Sequence, residues 1–595
     1  MVNRFFTVNC LLLVLFAAIS YRLFELGFFE RPALLKIAKK QYNVVIELEA
    51  KRGNILDRNS KLLATTVKSP SIYAVSRLIP KKNRAGIARQ VAEILDLDPW
   101  WVEKKLSQDK SFVWLKRKVT EDQAEAILNL GNPNILVQNE FKRFYPHAGE
   151  LAHAIGFCNI DSQGLEGLEL AYDSYLHGEK GLRHSKRDAL GRELSTLESK
   201  YIPPINGRDL VLNTDEFIQH VVERELDKAF TKWKAKGACA IVMNPHTGEI
   251  LAMANRPSFD ANDYKQSSIE SRRNRCLTDF CEPGSIFKVV TLTTALSESK
   301  VKLEDTVFCE NGTWHVNAKR VIHDVHPYGR LDVPGVLIKS SNIGIVKIAR
   351  LIGEKTLYQY IKIFGFGEVT GIDLQGEVAG IVHPLNQWSK ISITSIPYGQ
   401  EVTATALQMI RALSVIANGG YLVKPQIVRE VRDQYGVVIK EKIPPVKRKI
   451  IDAKITSTMR DILIRVVEEG TGQMAKIKGV KVAGKTGTSQ KLNPQGGYSH
   501  SNFISSFMGF APAENPMLSM IVMVDDPHPS YYGGTVAAPV FKGAMEEALL
   551  YLGYAPEQVD DKKTQAPESL QTPVKTPAET NSTTAMLPAL SSHQN

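Results

Sequence analysis

The strongest constraint on this chain lies at its start. Residues 5–21, FFTVNCLLLVLFAAISY, run for seventeen positions without a charge, between Arg4 and Arg22. A helix of that length is about 25 Å long, a little short of a hydrocarbon core of roughly 30 Å. Arginine side chains at both ends can reach the interface and complete the span. The apolar pattern continues through Leu23, Phe24, Phe28 and Phe29 instead of opening into a polar cleavage region. That favours a retained anchor over a cleaved signal peptide. The flanking charges, Arg4 before the segment and Arg22, Arg31, Lys36, Lys39 and Lys40 after it, run against the positive-inside bias. A long domain after the anchor translocates largely regardless of such charges, so the bulk of the chain is expected outside the cytoplasm.

Beyond the anchor the sequence is of ordinary globular character. The chain has 595 residues, 43% hydrophobic and 23% charged, which suits several packed domains and excludes a collagen, a disordered polymer and a polytopic membrane protein. A net charge of +11 is a mild excess that suits an anionic neighbour without choosing one. Two regions separate near YIPPINGRDL (201–210). The first, 42–205, mixes short β-like runs (NVVIELEA, SPSIYAV) with a charged helical stretch (RAGIARQVAEILDL). In the second, 207–555, ACAIVMNP and HTGEILAMAN read as a hairpin, and SNFISSFMGFAPAENPMLSMIVMVDDP repeats that design. VFKGAMEEALLYL reads as a closing amphipathic helix. The fold class is therefore expected to be α+β, with an antiparallel sheet flanked by helices in the second region. From about Pro556 the chain is Gln, Pro, Thr, Ser and Ala with hardly an aromatic, and 556–595 is expected to be a disordered tail.

Candidate chemistry gathers in the second region. Ser285-Ile286-Phe287-Lys288 follows Glu282-Pro283-Gly284, a turn signal, and precedes VVTLTTAL, which reads as a buried helix. Ser285 then sits in the first turn with Lys288 one turn on, on the same face. A serine hydroxyl is a poor nucleophile until a base takes its proton, and a desolvated lysine can be neutral enough to do so. Alone the pattern is weak: Ser107 to Lys110 (SQDK) and Ser297 to Lys300 (SESK) match it in polar surroundings. Order strengthens it. Ser340-Ser341-Asn342 comes 55 residues after Ser285, and Lys485-Thr486-Gly487-Thr488 comes 145 later on a strand-like GVKVAG. Lysine and threonine on a strand edge can hold a carboxylate, and Gly487 lets a substrate backbone approach. Six cysteines without a C-x-x-C pair are read as buried free thiols, with Cys276 and Cys281 able to pair only if their backbones approach. His323 and His326 near Cys309 lack a fourth ligand at zinc-like spacing, so no metal or other cofactor is expected. No basic stripe interleaved with aromatics points to nucleic acid.

Ser-x-x-Lys, Ser-Asp-Asn and Lys-Thr-Gly in this order are shared by penicillin-binding proteins and class A β-lactamases. From its anchor to about residue 555, the chain resembles a class B penicillin-binding protein. Arg52-Gly53-Asn54-Ile55-Leu56-Asp57-Arg58-Asn59 resembles the first signature of the class B pedestal, with a local Arg–Asp pairing as its expected role. Gly164-Leu165-Glu166-Gly167-Leu168-Glu169 with Tyr172 resembles the later pedestal motif, and Gly248 to Met253 the hairpin opening the catalytic domain. Tyr532-Gly533-Gly534-Thr535-Val536-Ala537-Ala538-Pro539-Val540-Phe541 is most similar to the FtsI-type division transpeptidases. The resemblance implies four parts: a short cytoplasmic end and transmembrane anchor (1–30), an elongated mixed α/β pedestal of dimerisation type (42–205), a penicillin-binding transpeptidase domain (207–555) and the tail.

By the same resemblance, Ser285 attacks the D-Ala-D-Ala amide of a peptidoglycan stem peptide with Lys288 as its base. Ser340 relays the proton to the leaving amine, and Asn342 holds the donor peptide and Lys288. Lys485, Thr486 and Thr488 bind the terminal carboxylate, Gly487 lies between them, and the N–H groups of Ser285 and Thr488 form the oxyanion hole. A second stem peptide's amine resolves the ester, and β-lactam antibiotics stall there. The implied partners are a SEDS-family glycosyltransferase and divisome membrane proteins. The implied location is the bacterial cytoplasmic membrane, single-pass, with the catalytic domain on the periplasmic or extracellular side.

Two departures bear on this. The middle motif is Ser-Ser-Asn, and no Glu-x-x-x-Asn of the deacylating kind lies between it and Lys485, which disfavours hydrolytic turnover. Water in place of the amine gives a D,D-carboxypeptidase, and an unacylated serine a penicillin-binding scaffold. A β-lactam sensor would bring H-E-x-x-H, whereas HAGELAH (147–153) has the wrong spacing.

Overall fold

The computed structural model describes residues 2–187, 193–194, 201–318, 320–440, 447–493 and 496–555. The expected tail, 556–595, lies outside the described residues. Helix Val2–Phe24 runs directly into a π-helical turn, Glu25–Phe29. Together they give an apolar span over Arg4–Phe29 of 26 residues, long enough to cross a membrane and longer than the uncharged run alone. Its side chains, Leu11, Leu13 and Phe16 among them, are exposed instead of packed on the protein. Arg22 falls inside this span, where Glu25 and Glu30 pair with it at 2.6 and 3.2 Å.

The second region is built on five antiparallel strands, β1 (Gly237–Met243), β2 (Ile250–Arg256), β3 (Ala483–Leu492), β4 (Tyr498–Ala511) and β5 (Leu518–Asp525), in spatial order β2-β1-β5-β4-β3. Both hairpins read from the sequence are present, with Ala238 opposite Arg256 and Ala511 opposite Leu518. Strand β1 is buried along its whole length, which is why its sequence shows no polar alternation. Its side chains still alternate. Val242, with Phe507 and Val522 of neighbouring strands, packs against α1 (Glu216–Lys232) and α6 (Ala538–Tyr551). On the opposite face Ile241, Met508 and Ile521 meet α2 (Lys288–Ser297), α3 (Asn342–Ile352), α4 (Ala406–Ala417) and α5 (Ala453–Glu468). Helix α2 is buried on all sides, and its three threonines are all satisfied: Thr293 Oγ1 donates to Val289 O at 2.7 Å and Thr294 Oγ1 to Val290 O at 2.8 Å within the helix, and Thr291 Oγ1 to Pro397 O at 2.8 Å outside it.

The pedestal does not end where the sequence changes character. Its strands Ile55–Leu56, Leu62–Ala74, Val113–Lys116 and Ile135–Phe144 share one seven-stranded sheet with Asp209–Leu212, Val428–Arg432 and Val438–Lys440. Residues 428–440 therefore belong structurally with the pedestal although they lie deep in the second region of the sequence. Around Arg52 the expected local Arg–Asp pairing gives way to a long-range one. Arg52 Nε meets Glu169 at 2.7 Å and Arg52 Nη1 meets Asp173 at 2.6 Å, while Arg143 Nε takes the other Glu169 oxygen at 2.6 Å. Asp57 instead caps its own turn, accepting from the N–H groups of Asn59 and Lys61, and from Glu216 N at the start of α1. The two pedestal signatures thus meet each other and touch the second region.

Candidate active site

Four elements converge on one face of β3. The turn Glu282-Pro283-Gly284-Ser285 crosses the strand: Gly284 adopts φ +59°, and a Cβ there would lie 3.1 Å from Ser489 Cβ. Glu282 pins the turn by accepting from Glu401 N at 2.8 Å and Tyr498 Oη at 3.1 Å. Ser285 is half-buried in the 3-10 turn Gly284–Phe287, and buried Ile286 and Phe287 anchor that turn in the core. Lys288 is the first residue of α2, one turn on, as the spacing required.

Lys288 is fully buried and makes three contacts through Nζ: Ser340 O at 2.6 Å, Asn342 Oδ1 at 2.7 Å and Ser340 Oγ at 3.3 Å. Lys485, projecting from β3, places its own Nζ 3.0 Å from the same Ser340 Oγ. Ser340 can present both its carbonyl and its hydroxyl inward because its φ is +58°. That left-handed conformation costs a non-glycine residue on the order of 1–3 kcal/mol and is held by its surroundings. Two buried ammonium groups cannot share one hydroxyl cheaply. Burial pushes Lys288 down to about 7, against an opposing pull from the Asp324 carboxylate. Burial and the neighbouring Lys288 push Lys485 well below its ordinary value. Near neutral pH this pair can therefore hold and pass a proton through Ser340.

The rest of the third motif lines the strand. A Cβ on Gly487 would lie 2.3 Å from Ser506 Oγ and 3.0 Å from Ile286 Cγ2, so β3 runs directly against the turn that carries Ser285. Thr486 Oγ1 lies 3.4 Å from Lys485 Nζ and 2.6 Å from Thr471 Oγ1. Thr488 Oγ1 accepts from Gly533 N at 3.1 Å, tying the strand to the Tyr532-Gly533-Gly534 segment and leaving its O–H free to donate.

The second serine of Ser-Ser-Asn is structural. Ser341 caps α3, accepting from Gly344 N at 2.8 Å, and donates to Asp324 Oδ2 at 2.6 Å. Asp324 Oδ1 accepts from Asn342 N and Ile343 N at 2.5 and 3.1 Å. Asp324 stands inside the HDVH stretch that reads as a polar loop, where attention falls on the histidines. Those turn elsewhere, His323 Nδ1 to Thr313 Oγ1 at 3.3 Å and the His326 ring to Tyr328. Of the decoys, Ser107 is exposed and bonds Glu103 O in its own helix, and Ser297 ends α2. All six cysteines are free thiols, and Cys276 points its sulfur at Ala240 O and Ala254 O.

A five-stranded sheet between two helical layers, with Ser-x-x-Lys, Ser-x-Asn and Lys-Thr-Gly converging on its edge strand, defines the penicillin-recognising class of acyl-transfer domain. Residues 238–546 match the penicillin-binding protein transpeptidase domain, and residues 47–212 match the penicillin-binding protein dimerisation domain. The chain is 38% identical over 558 residues to stage V sporulation protein D of Bacillus subtilis, covering 92% of this chain and 85% of that one. It is 32% identical over 557 residues to the peptidoglycan D,D-transpeptidase FtsI of Escherichia coli, covering 92% of each. Among solved structures, penicillin-binding protein 3 of Mycobacterium tuberculosis complexed with aztreonam superposes with a TM-score of 0.67 at 26% identity, over 86% of this chain and 98% of that one. The chain belongs to the class B penicillin-binding proteins.

Proposed function

We propose that the protein is a peptidoglycan D,D-transpeptidase that cross-links stem peptides through a Ser285 acyl-enzyme and is inhibited by β-lactams. One observation carries this reading: Lys288 and Lys485 both reach Ser340 Oγ, with Lys288 held near neutrality one turn from Ser285. Lys288 takes the Ser285 proton as the hydroxyl attacks the penultimate D-Ala carbonyl. Ser340 passes a proton to the departing D-Ala amine, and Asn342 orients Lys288 and the donor peptide. Lys485, Thr486 and Thr488 receive the terminal carboxylate, Gly487 admits the peptide backbone, and the N–H groups of Ser285 and Thr488 stabilise the oxyanion. The ester then passes to the amine of a second stem peptide.

The finer parts of the reading rest on the apolar span and on the relatives. The anchor holds the catalytic domain outside the cytoplasmic membrane, the work is septal wall synthesis, and the pedestal receives a SEDS-family glycosyltransferase and other divisome membrane proteins. The test is labelling of the full chain in detergent by a fluorescent penicillin. Wild type and Ser297→Ala are expected to label and Ser285→Ala to stay dark. Absence of label on folded wild-type protein, or label retained in Ser285→Ala, overturns the assignment.

A further inference from the structure

The Ser-Ser-Asn motif lacks the acid of Ser-Asp-Asn, yet its backbone is held by an acid all the same. Asp324, seventeen residues upstream of Ser341 on the loop after strand Arg320–His323, makes three hydrogen bonds to three successive residues: Ser341 Oγ, Asn342 N and Ile343 N. These satisfy the first N–H groups of α3, which would otherwise lack partners, and place a negative charge at the helix's positive end. Asn342 is then clamped from both sides. Its backbone is on Asp324, its Nδ2 donates to His323 O at 2.8 Å, and its Oδ1 is left to accept from Lys288. We propose that Asp324 is a positioning residue for acyl transfer, supplying from a separate loop the carboxylate that Ser-Ser-Asn lacks, and fixing Asn342 directly, and Ser340 through its neighbour Ser341, against Lys288. This rests on the transpeptidase reading above.

The same carboxylate acts on Lys288 through space, which separates its role from that of a mere scaffold. The charged and titratable groups around the pair are few. Lys485 faces Lys288 from β3, and Asp324 faces it from the loop. Cys309 and Tyr328 face Asp324, both held above their ordinary values mainly by burial. Lys347 and Glu310, near Cys309, are paired with each other at 2.5 Å. Removing the Asp324 charge takes away the negative charge that favours protonated Lys288, so Lys288 titrates at lower pH.

The experiment is the second-order rate of fluorescent-penicillin acylation of the full chain across pH 5–9. It compares wild type, Asp324→Asn, Asp324→Ala and the exchange Asp324→Ser with Ser341→Asp. Asp324→Asn keeps the size and is expected to slow acylation roughly 10- to 100-fold. It also moves the rising limb of the profile toward lower pH. Asp324→Ala slows acylation further, and the exchange, which returns a carboxylate next to Asn342, recovers much of the loss. An Asp324→Asn protein that acylates at the wild-type rate overturns the proposal, as does a slow one whose limb stays in place while the exchange gives no recovery. If Asp324→Asn fails to fold, the exchange variant alone decides by the same criterion. Wild-type protein that does not acylate at all refutes the transpeptidase reading itself.

Discussion

Glu169→Gln is the substitution whose cost the structure sets most directly. Glu169 is fully buried and receives Arg52 Nε at 2.7 Å, Arg143 Nε at 2.6 Å, Cys158 Sγ at 3.2 Å and Tyr145 Oη at 3.3 Å. Glutamine fills the same volume but removes the charge and turns an amide donor toward guanidinium donors. Arg52 keeps Asp173 at 2.6 Å, whereas Arg143 is left with the neutral acceptors Gly53 O and Thr66 Oγ1. Breaking a buried pair by removing one partner costs about 3–5 kcal/mol, and the retained Asp173 contact puts this case near about 3. Because the pedestal shares a sheet with strands of the catalytic region, a single melting temperature would mix two domains. Hydrogen exchange of peptides covering Leu62–Ala74 and Ile135–Phe144 reads the pedestal alone, and a 3 kcal/mol loss speeds exchange there by about 100-fold or more. Burial by itself would raise the Glu169 pKa, but Arg143 and Arg52 outweigh it and hold the group below its ordinary value. Its contribution is therefore present above the unfolded carboxyl pKa and fades as pH falls through the lower folded value, so wild type should approach the variant in acid. Replacing all three residues at once, as Arg52→Met, Arg143→Met and Glu169→Leu, is expected to cost less than the single change. Exchange in Glu169→Gln within fivefold of wild type at pH 7, or a triple variant clearly worse than the single one, would refute the reasoning.

Two further predictions concern the site. With Lys288 titrating at about 7, acylation should fall roughly tenfold per pH unit below that value and level off above it, and Lys288→Arg should abolish it; a flat profile from pH 5 to 8 contradicts Lys288 as the base. Gly487→Ala places a Cβ 2.3 Å from Ser506 Oγ and 3.0 Å from Ile286 Cγ2, so it should slow acylation about 100-fold while leaving exchange of the pedestal peptides unchanged; wild-type rates would show that β3 and the Ser285 turn are not in contact.

How much of this was legible in the sequence depends on the range of the interaction. Ser285 and Lys288 are one helical turn apart, and a turn signal followed by an apolar run fixes their relation without any long-range information. The hairpins β1–β2 and β4–β5 were readable for the same reason, since each is closed by a short turn between apolar runs. Convergence of Ser340 and Lys485 on Lys288 was accessible only through the order and company of three motifs, because 55 and 145 residues of intervening chain carry no spacing rule. Asp324 and Arg143 illustrate what stayed hidden. A lone carboxylate in HDVH and a lone arginine in RFYP give no periodic signal, and the partners that define them, Asn342 and Glu169, are brought close only by the packing of whole elements. Strand Val428–Arg432 is hidden in another way. It is short and mixed in polarity, and its place beside Asp209–Leu212 comes from the return of the chain to the pedestal after α4. The consequence is functional: the sheet holding the Arg52–Glu169–Arg143 network also carries backbone from the catalytic region. Asp57 reaches across the same junction to Glu216 N at the head of α1, the helix that supports β1 and β2. The pedestal and the catalytic sheet are therefore joined both by shared strands and by the Asp57–Glu216 contact, and neither link passes through a residue of the acyl-transfer site.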